Sequence, residues 1–449
     1  MKKKTEMPSP TLTPADEAKL RLADRAPVVN AMQSLDPGAK NGWLPTTHPA
    51  ISGIDKEHAP SGSNAISQSS LAEYFAVAAP THCADGWGYL SRGFHAYLIG
   101  DPHSAWHFAY YAELRAAQSI LSASGCGAFN SWNCCLDAGG NVQILSKNPT
   151  HVMVWLALDY LAGNSPSGSA GIAAAMTILG VSTPEIVQYA YPGRQTTATS
   201  ANWVSNWIYD LQTSSSDKGF RNRCSYNPHF VTPHNADVGE YVSLVTAFWE
   251  MLEPSPGATF MELDKQIVRD ILRKEARDSL SLNGKQLSSD ELKNELNEAY
   301  KKIIDSAPTF QSIPIQFITN PETSEHPLLH YARDNAVSPD TPRPVLARAT
   351  LLLRIATGMT QNLLRDAGQI SKLGFWLDGL AEQQGIVSSR AELPSDRSDL
   401  YFDCILAAED LQRAHAAGSV SRASLFENTT IKPHLLSQTE RIVQWSFSN

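Results

Sequence analysis

Apolar residues recur every three or four positions along most of the chain, which is the spacing of amphipathic α-helices. Neither a regular alternation of strands and helices nor a repeat of fixed period is visible. The pattern predicts a mainly α protein, a multi-helix bundle body with a charged helical hairpin and a C-terminal helical region. The predicted helices cover 67–79, a continuation after the turn-like "PTHCADG", 101–125, 149–163, 168–179, 183–190, 198–213, 235–253, 343–368, 371–383, 397–417 and 433–447.

Changes in this pattern divide the chain into four regions. Residues 1–65 are rich in Pro, Ser, Thr, Gly and Asn, and predict an extended or partly ordered arm with one short helix around "PADEAKLRLADR". Residues 66–255 predict a helical core domain, 256–310 a charged hairpin or connector, and 311–449 a C-terminal helical domain. Two non-helical excursions are expected, a short hairpin within 126–147 and one short strand within 307–327.

The third region is the most highly charged. Residues 261–306 contain ten acidic and nine basic residues, and their apolar positions form two helical faces. Asn283 and Gly284 predict the turn between two helices, and Ser288 with Glu291 forms a capping box for the second. The segment therefore predicts a helix–turn–helix hairpin.

Ion pairs at a spacing of four residues are expected along this hairpin. Asp270 precedes Lys274, and Glu298 precedes Lys302, in the order that favours such pairs. Because balanced charged faces of this kind are usually solvated, we assign the segment no chemistry.

The segment 101–125 carries the clearest helix signals. Asp101 or Ser104 can cap its start, Pro102 suits the first turn, and Gly125 suits its end. One face carries only small residues, at Ala105, Ala109, Ala112 and Ala116. This seam predicts the close approach of another helix.

A polar stripe follows a second face of the same helix. The stripe consists of His107, Tyr111, Arg115 and Gln118, at positions i, i+4, i+8 and i+11. A polar stripe is unusual on a helix this apolar. One interpretation is a solvent-facing edge of amphipathic side chains. The other is the wall of a cleft, with the histidine and the arginine pointing into it as binding residues.

The segment "DKGFRNRCSYNPHF", residues 217–230, holds the densest set of candidate functional residues. A histidine can move a proton and an arginine can stabilise the charge that develops on a phosphate, so the set suits metal-independent RNA cleavage. The planar guanidinium also fits a phosphate with two hydrogen bonds. The candidates are Arg221, Arg223 and His229 for catalysis, and Asn222 and Tyr226 for binding.

A structural interpretation of the same segment stays open beside the functional one. The segment would be a loop in which the arginines pair with carboxylates such as Asp217 and Tyr226 packs beneath them. Pro228, just before His229, would break or kink a helix through this point.

Two stretches resemble the HEPN superfamily, helical proteins with an R-x4–6-H signature. "AWHFAYYAELRAAQSIL" is similar to the Ala/Tyr-rich early helix of that superfamily, and "RNRCSYNP" to its later helix. Arg223 and His229 have the R-x5-H spacing, whereas the polar neighbour that usually follows the arginine is Asn222, after Arg221. The resemblance covers roughly residues 85–250 and implies a metal-independent ribonuclease of a prokaryotic defence or toxin system, or a degenerate relative that binds RNA or a nucleotide.

Composition narrows the remaining classes of function. The formal net charge of −9 over 449 residues argues against broad non-specific nucleic-acid binding, although it allows a local basic patch. P-loop, GxGxxG, HExxH and GxSxG motifs are absent, so we expect no cofactor. The chain has no apolar run long enough for a membrane span and an N-terminus without a secretory signal, so we expect a cytoplasmic protein with no membrane partner.

Two further hypotheses compete with RNA cleavage. A non-enzymatic scaffold or sensor subunit would bind a protein partner, or form a homo-oligomer, through its helical surface. A metal-dependent hydrolase would use the cysteines near residues 83, 126 and 134–135 with His82, but these lack the paired spacing of a zinc site, and free cysteines are usually buried apolar residues. We therefore expect no metal.

Overall fold

The structure is a computed structural model that describes residues 11–36, 42–52, 66–130, 132–163, 172, 177–193, 211–226, 237–254, 260–281, 288–320, 326–334, 341–419, 421–430 and 433–448. Helices dominate these residues, and the mainly α prediction is confirmed. No described helix is both long enough and apolar enough to cross a bilayer. The division of the chain into four regions stays a prediction.

Seventeen α-helices lie within the described residues. They are α1 (Pro14–Leu20), α2 (Ala26–Ser34), α3 (Gln68–Ile99), α4 (Pro102–Ala123), α5 (Thr150–Gly163), α6 (Thr183–Ala190), α7 (Leu211–Tyr226), α8 (Val238–Met251), α9 (Met261–Ser281), α10 (Ser289–Ser306), α11 (Ile315–Thr319), α12 (Pro327–Arg333), α13 (Arg343–Asp366), α14 (Gly374–Gln383), α15 (Asp399–Ala416), α16 (Arg422–Glu427) and α17 (Ile442–Ser446). Short 3₁₀ turns lie at Pro49–Ser52, Pro308–Ser312, Ile370–Lys372, Arg390–Glu392, Pro433–Ser437 and Thr439–Arg441.

The described strands are short and form two small sheets. One is three-stranded and antiparallel, with β1 (Cys126–Ala128), β2 (Asn133–Leu136) and β3 (Val142–Leu145) in that order. It confirms the hairpin expected within 126–147 and adds a strand to it. The other pairs β4 (Thr177–Ile178) with β5 (Val181–Ser182). The prediction that a helix extends to residue 179 is therefore wrong, because residues 177–178 form a strand. Gly180, with φ +81°, allows the tight turn between β4 and β5.

The centre of the fold is formed by α3, α4 and α13. The alanine seam of α4 is completely buried, as predicted. It lies against glycines of α3: a Cβ added to Gly93 would lie 3.4 Å from the Ala109 nitrogen and 3.1 Å from Leu346 Cδ2 of α13. Small residues on both helices therefore allow the backbones to approach closely.

Helix α3 runs unbroken through the segment that the sequence marks as a turn. Pro80 lies inside the helix, and the Thr81 hydroxyl donates to the Val77 carbonyl at 2.8 Å. The Ala79 carbonyl accepts a hydrogen bond from Ser119 Oγ of α4 at 2.7 Å. Because side-chain donors and packing compensate for the proline, the turn predicted at "PTHCADG" is wrong, and His82 lies on a helix.

The charged segment forms two helices, α9 and α10, which contact each other. The predicted cap is confirmed, with the Glu291 amide donating to Ser288 Oγ at 3.2 Å, whereas Asn283 and Gly284 lie outside the described residues. The face of α9 is not simply solvated, because Asp264 and Arg269 are buried. The prediction that the charged face is only solvated is therefore wrong for α9.

The partners of the predicted ion pairs also differ. Asp270 lies 3.2 Å from Arg333 of α12, and Glu298 lies 2.8 Å from Lys301, one position short of the expected Lys302. A partner on a neighbouring helix replaces the local partner of Asp270, since tertiary packing brings Arg333 close.

Two smaller differences concern short elements. The described residues of 307–320 form a 3₁₀ turn and the helix α11 in place of the expected strand, whereas 321–325 lie outside the described residues. In the N-terminal region the predicted helix is confirmed as α1, capped by Thr13, and α2 follows it and packs on α3.

Candidate functional site

The sequence "LQTSSSDKGFRNRCSY" is helix α7, so the loop expected from residue 217 onward is wrong as far as Tyr226. Helix α7 packs against α4 and α5. It brings Arg221 of the predicted site to the face of α4 that carries the polar stripe. His229 lies outside the described residues.

A buried ion pair fixes α7 on the body of the protein. Asp217 Oδ2 accepts a hydrogen bond from Arg348 Nη2 of α13 at 2.7 Å, and Arg348 Nε lies 3.7 Å from Glu113 Oε1 of α4. All three side chains are almost completely buried. Burial raises the pKa of Asp217, while the positive charge of Arg348 opposes that rise. The three groups join α4, α7 and α13 at one point.

Arg221 follows Asp217 by one helical turn and lies over two tyrosine rings of α4. Its Cζ atom is 5.2 Å from the ring centre of Tyr110 and 5.5 Å from that of Tyr111. Its Nε atom is buried and makes no hydrogen bond within the described part of the chain. The predicted pairing of this arginine with Asp217 is wrong, because Asp217 is bound to Arg348.

His107 lies on the same Tyr111 ring as Arg221. Its ring centre is 5.0 Å from that of Tyr111, and its Nδ1 atom is 2.8 Å from Ser225 Oγ of α7. Partial burial lowers the pKa of His107, and the positive charge of Arg221 lowers it further. The imidazole is therefore neutral at neutral pH, a form that can accept a proton. We call the group His107, Tyr110, Tyr111, Arg221 and Ser225 the α4–α7 surface.

The other candidates on α7 point elsewhere. Arg223 is exposed, with its Cζ atom 3.9 Å from the ring centre of Phe220. Asn222 is also exposed, and Tyr226 is 80% exposed. The prediction that Tyr226 packs beneath the arginines is therefore wrong. Arg221 and Arg223 are two positions apart on a helix, so they lie on different faces.

The second half of the polar stripe makes a separate set of contacts with α3. Arg115 Nη1 is 3.1 Å from His82 Nδ1 and donates to Gln118 Oε1 at 3.2 Å. Its Nε atom lies 3.8 Å from Asp85 Oδ2. Burial lowers the pKa of His82 to about 3, and the charge of Arg115 contributes to this shift. His82 is thus a neutral acceptor at Nδ1.

Tyr111 separates the two halves of the stripe. Its ring stacks on Tyr89 of α3 at 5.5 Å, and the Arg115 Cζ atom lies 6.0 Å from the ring centre of Tyr89. His107 and Arg221 lie on one side of the tyrosines and Arg115 on the other. Both interpretations of the stripe, a cleft wall and a solvent-facing edge, stay predictions.

Several residues of this region were not predicted to bind RNA or to act in its cleavage, and the sequence named His82 only for the metal hypothesis. His151 of α5 lies 3.3 Å from the Tyr110 hydroxyl, while His82 and Asp85 contact Arg115 from α3. His82 and Asp85 are three residues apart, as on one face of a helix, but the proline before them masked that signal. For His151 the sequence offers only its place in the first turn of α5.

The cysteine–histidine cluster of the hydrolase hypothesis does not form a metal site among the described residues, where no three His, Cys, Asp or Glu side chains converge. All six cysteines are buried and none forms a disulfide. Burial and the neighbouring Cys135 raise the pKa of the Cys134 thiol well above its usual range. Such a thiol stays protonated and packs as an apolar residue.

Comparisons of the chain with protein-family models, with curated proteins and with solved structures give no match. Any function of the α4–α7 surface must therefore be inferred from its own contacts and charges. It joins a cation, aromatic rings and a neutral imidazole in one place. Such a group can hold a phosphate and accept a proton.

Proposed function

We propose that the α4–α7 surface binds RNA through a backbone phosphate and cleaves it without a metal ion. Arg221 contacts the phosphate and His107 accepts the proton. This is the reaction that the HEPN resemblance implies, with His107 in the role that the sequence motif gives to His229. The observation that carries the proposal is the placement of Arg221 and a neutral His107 on the same Tyr111 ring.

The charge of Arg221 supports phosphate binding. No carboxylate of the described residues pairs with this guanidinium, and its neighbours are the tyrosine rings of α4. Stacking orders the guanidinium, while no carboxylate in the described part of the chain offsets its positive charge. A phosphate group, which accepts several hydrogen bonds from one guanidinium, fits such a site.

The cleavage step balances without a metal. His107 takes the proton of a ribose 2′-hydroxyl, whose oxygen attacks the adjacent phosphorus. The bond from phosphorus to the 5′-oxygen breaks, and that oxygen takes a proton from water. The hydroxide left behind takes the proton from His107 and restores the neutral imidazole. The products are a 2′,3′-cyclic phosphate and a 5′-hydroxyl. Ser225, at 2.8 Å from His107 Nδ1, orients the imidazole.

The test is incubation of the purified protein with end-labelled single-stranded RNA, with and without EDTA, followed by analysis of the product ends. Cleavage should persist in EDTA and should leave a 2′,3′-cyclic phosphate. His107→Ala should lower the rate by about 10²–10⁴, the usual effect of losing a general base. Arg221→Gln should weaken RNA binding and reduce the slope of log K against log salt by about 0.7, the value for one phosphate contact on a single strand.

Two further variants separate this arrangement from the sequence motif. Arg223→Gln and His229→Ala should retain cleavage if Arg221 and His107 carry the reaction. If they abolish it while His107→Ala remains active, the motif pair is the catalytic one and the proposed roles are wrong. Arg413→Gln serves as a charge control, because this side chain is 69% exposed on α15. A wild-type protein that neither binds nor cleaves RNA overturns the proposal.

A scaffold function is the second candidate, and one observation favours it. Phe402 and Leu406 lie one turn apart on α15 and are 55% and 47% exposed. Such an apolar pair suits a contact with a second copy of the chain. Sedimentation equilibrium of the wild type and of Leu406→Glu tests this, because only the wild type should associate.

A further inference from the structure

A cavity of about 230 Å³ lies between α3, α4, α5 and β1, beside the second half of the polar stripe. Its polar wall consists of His82, Arg115 and Gln118, together with Asn130. The cavity is smaller than the roughly 300–1,000 Å³ of sites for drug-sized ligands. The cavity therefore has room only for a small molecule, and the α4–α7 surface contributes no residue to it.

The opposite wall is aromatic. Phe75 and Phe129 stack with parallel rings, 6.3 Å between centres, and Tyr74 lies 5.7 Å from Phe129. Gly127 of β1 makes this wall possible, because a Cβ there would lie 2.4 Å from Phe75 Cε1 and 2.8 Å from Phe129 Cζ. Phe75 is completely buried and Phe129 is 5% exposed, so a flat apolar group can contact Phe129 and the half-buried Tyr74.

Arg115 is the only formal charge among the described residues that line the cavity. His82 is neutral, since burial lowers its pKa to about 3, and Gln118 is an amide. These two neutral acceptors hold Nη1 without cancelling the charge of the guanidinium. Asp85, 3.8 Å from Nε, lies outside the lining and its side chain is 58% exposed, so water screens its effect.

The donors of Arg115 are only partly used. Nη1 contacts His82 and Gln118, whereas the buried Nε makes no hydrogen bond within the described part of the chain. The Nε atom faces Asp85, so the Nη2 group, which makes no hydrogen bond within the described residues, is the donor left for a carboxylate in the cavity. A doubly charged phosphate would place more negative charge in the cavity than this single cation balances.

We propose that the Arg115 cavity binds a small aromatic monocarboxylate, with the carboxylate on Arg115 and the ring against Tyr74 and Phe129. The size of the cavity, its single positive charge and its aromatic wall all point to this class of ligand. The site is separate from the α4–α7 surface, so its test is independent of RNA binding and cleavage.

The test is isothermal titration calorimetry of the full-length protein with three probes: benzoate, its neutral isostere benzamide, and inorganic phosphate. Benzoate should bind saturably at one site, and benzamide and phosphate at least about tenfold more weakly, because each lacks one matching feature. Equal affinity for benzoate and benzamide, or absence of saturable benzoate binding, overturns the proposal. This comparison uses only the wild-type chain, so it does not depend on the folding of any variant.

Variants then locate the site. Arg115→Gln should weaken benzoate binding at least about tenfold and leave benzamide unchanged. Ala128→Phe, on the wall of the cavity, should fill it and abolish binding of both. Arg413→Gln, exposed on α15, should bind benzoate as the wild type does. Benzoate binding that survives Ala128→Phe in a folded protein would place the ligand elsewhere and reject the cavity as its site.

Discussion

Asp217 of α7 and Arg348 of α13 form a buried ion pair of 2.7 Å. Asp217 lies one helical turn before Arg221 on α7. Both side chains of the pair are at most 2% exposed. Because they belong to different helices, the pair fixes both the position of α7 and its rotation about its own axis. It thereby holds Arg221 over the tyrosines of α4.

Breaking this pair should be strongly destabilising. Arg348→Met leaves the carboxylates of Asp217 and Glu113 buried without their cation, which costs about 3–5 kcal/mol. Arg390→Met is the matched control, since its ion pair with Glu382 is exposed and contributes about 0–1 kcal/mol. Urea unfolding of the two variants measures the difference, and equal losses would contradict a structural role for the buried pair.

A second buried pair should give the stability a measurable pH dependence. Burial raises the pKa of Asp264 from 3.8 to about 6, although Arg354 opposes this shift. The folded protein therefore holds this proton more tightly than the unfolded chain does. The stability that Asp264 contributes is fully present below pH about 4 and is lost as the pH rises through about 6.

Asp264→Asn removes this titration. The difference in unfolding free energy between wild type and variant should fall from pH 4 to pH 6 and then level off, as measured by urea unfolding at each pH. Glu298→Gln is the control of opposite sign, because Lys301 lowers the pKa of the exposed Glu298. A difference for Asp264→Asn that does not change with pH would reject the assignment.

The pKa of His107 should depend directly on the neighbouring Arg221. Burial and the charge of Arg221 both lower its pKa below the usual 6.5. Arg221→Gln should therefore raise the pKa of His107 toward that value, as measured by NMR titration of the imidazole. Arg223→Gln, whose guanidinium lies over Phe220 instead, should leave it unchanged. The same shift in both variants would mean that long-range charge, not contact at Tyr111, sets the pKa.

The glycine of β1 should not tolerate a methyl group. Gly127→Ala places a carbon 2.4 Å from Phe75 Cε1, and such overpacking costs about 1–3 kcal/mol. Gly219→Ala on α7 is the control, because nothing lies within 4 Å of its added carbon and alanine favours a helix by about 0.5–1 kcal/mol. Thermal unfolding should show opposite shifts for the two variants, and a neutral Gly127→Ala would show that the aromatic wall is free to move.

Local signals predicted some elements well. Helix α4 has the predicted cap at Asp101, whose carboxylate accepts the Ser104 amide at 3.0 Å, and its alanine seam is buried. Both features depend on residues close together in the chain. For the same reason the Ser288 cap of α10 was predictable.

Features set by distant packing were not predictable. Pro80 looks like a helix end, but contacts of α3 with α4 and α13 keep the helix continuous and place His82 beside Arg115. The motif spacing favoured Arg223, yet the phase of α7 turns Arg221 toward α4. That phase depends on the bond between Asp217 and Arg348, whose partners are far apart in the sequence.

The order of the helices has a consequence for synthesis of the chain. Trp87 Nε1 of α3 donates to Thr357 Oγ1 of α13 at 3.1 Å, and Ser119 Oγ of α4 lies 3.3 Å from Thr360 Oγ1. At ribosomal rates, α13 emerges roughly 10–50 s after α4. Throughout that interval the nascent chain exposes the apolar surface that α13 later covers. Until α13 is made, the nascent chain therefore presents an apolar surface of the kind that chaperones bind.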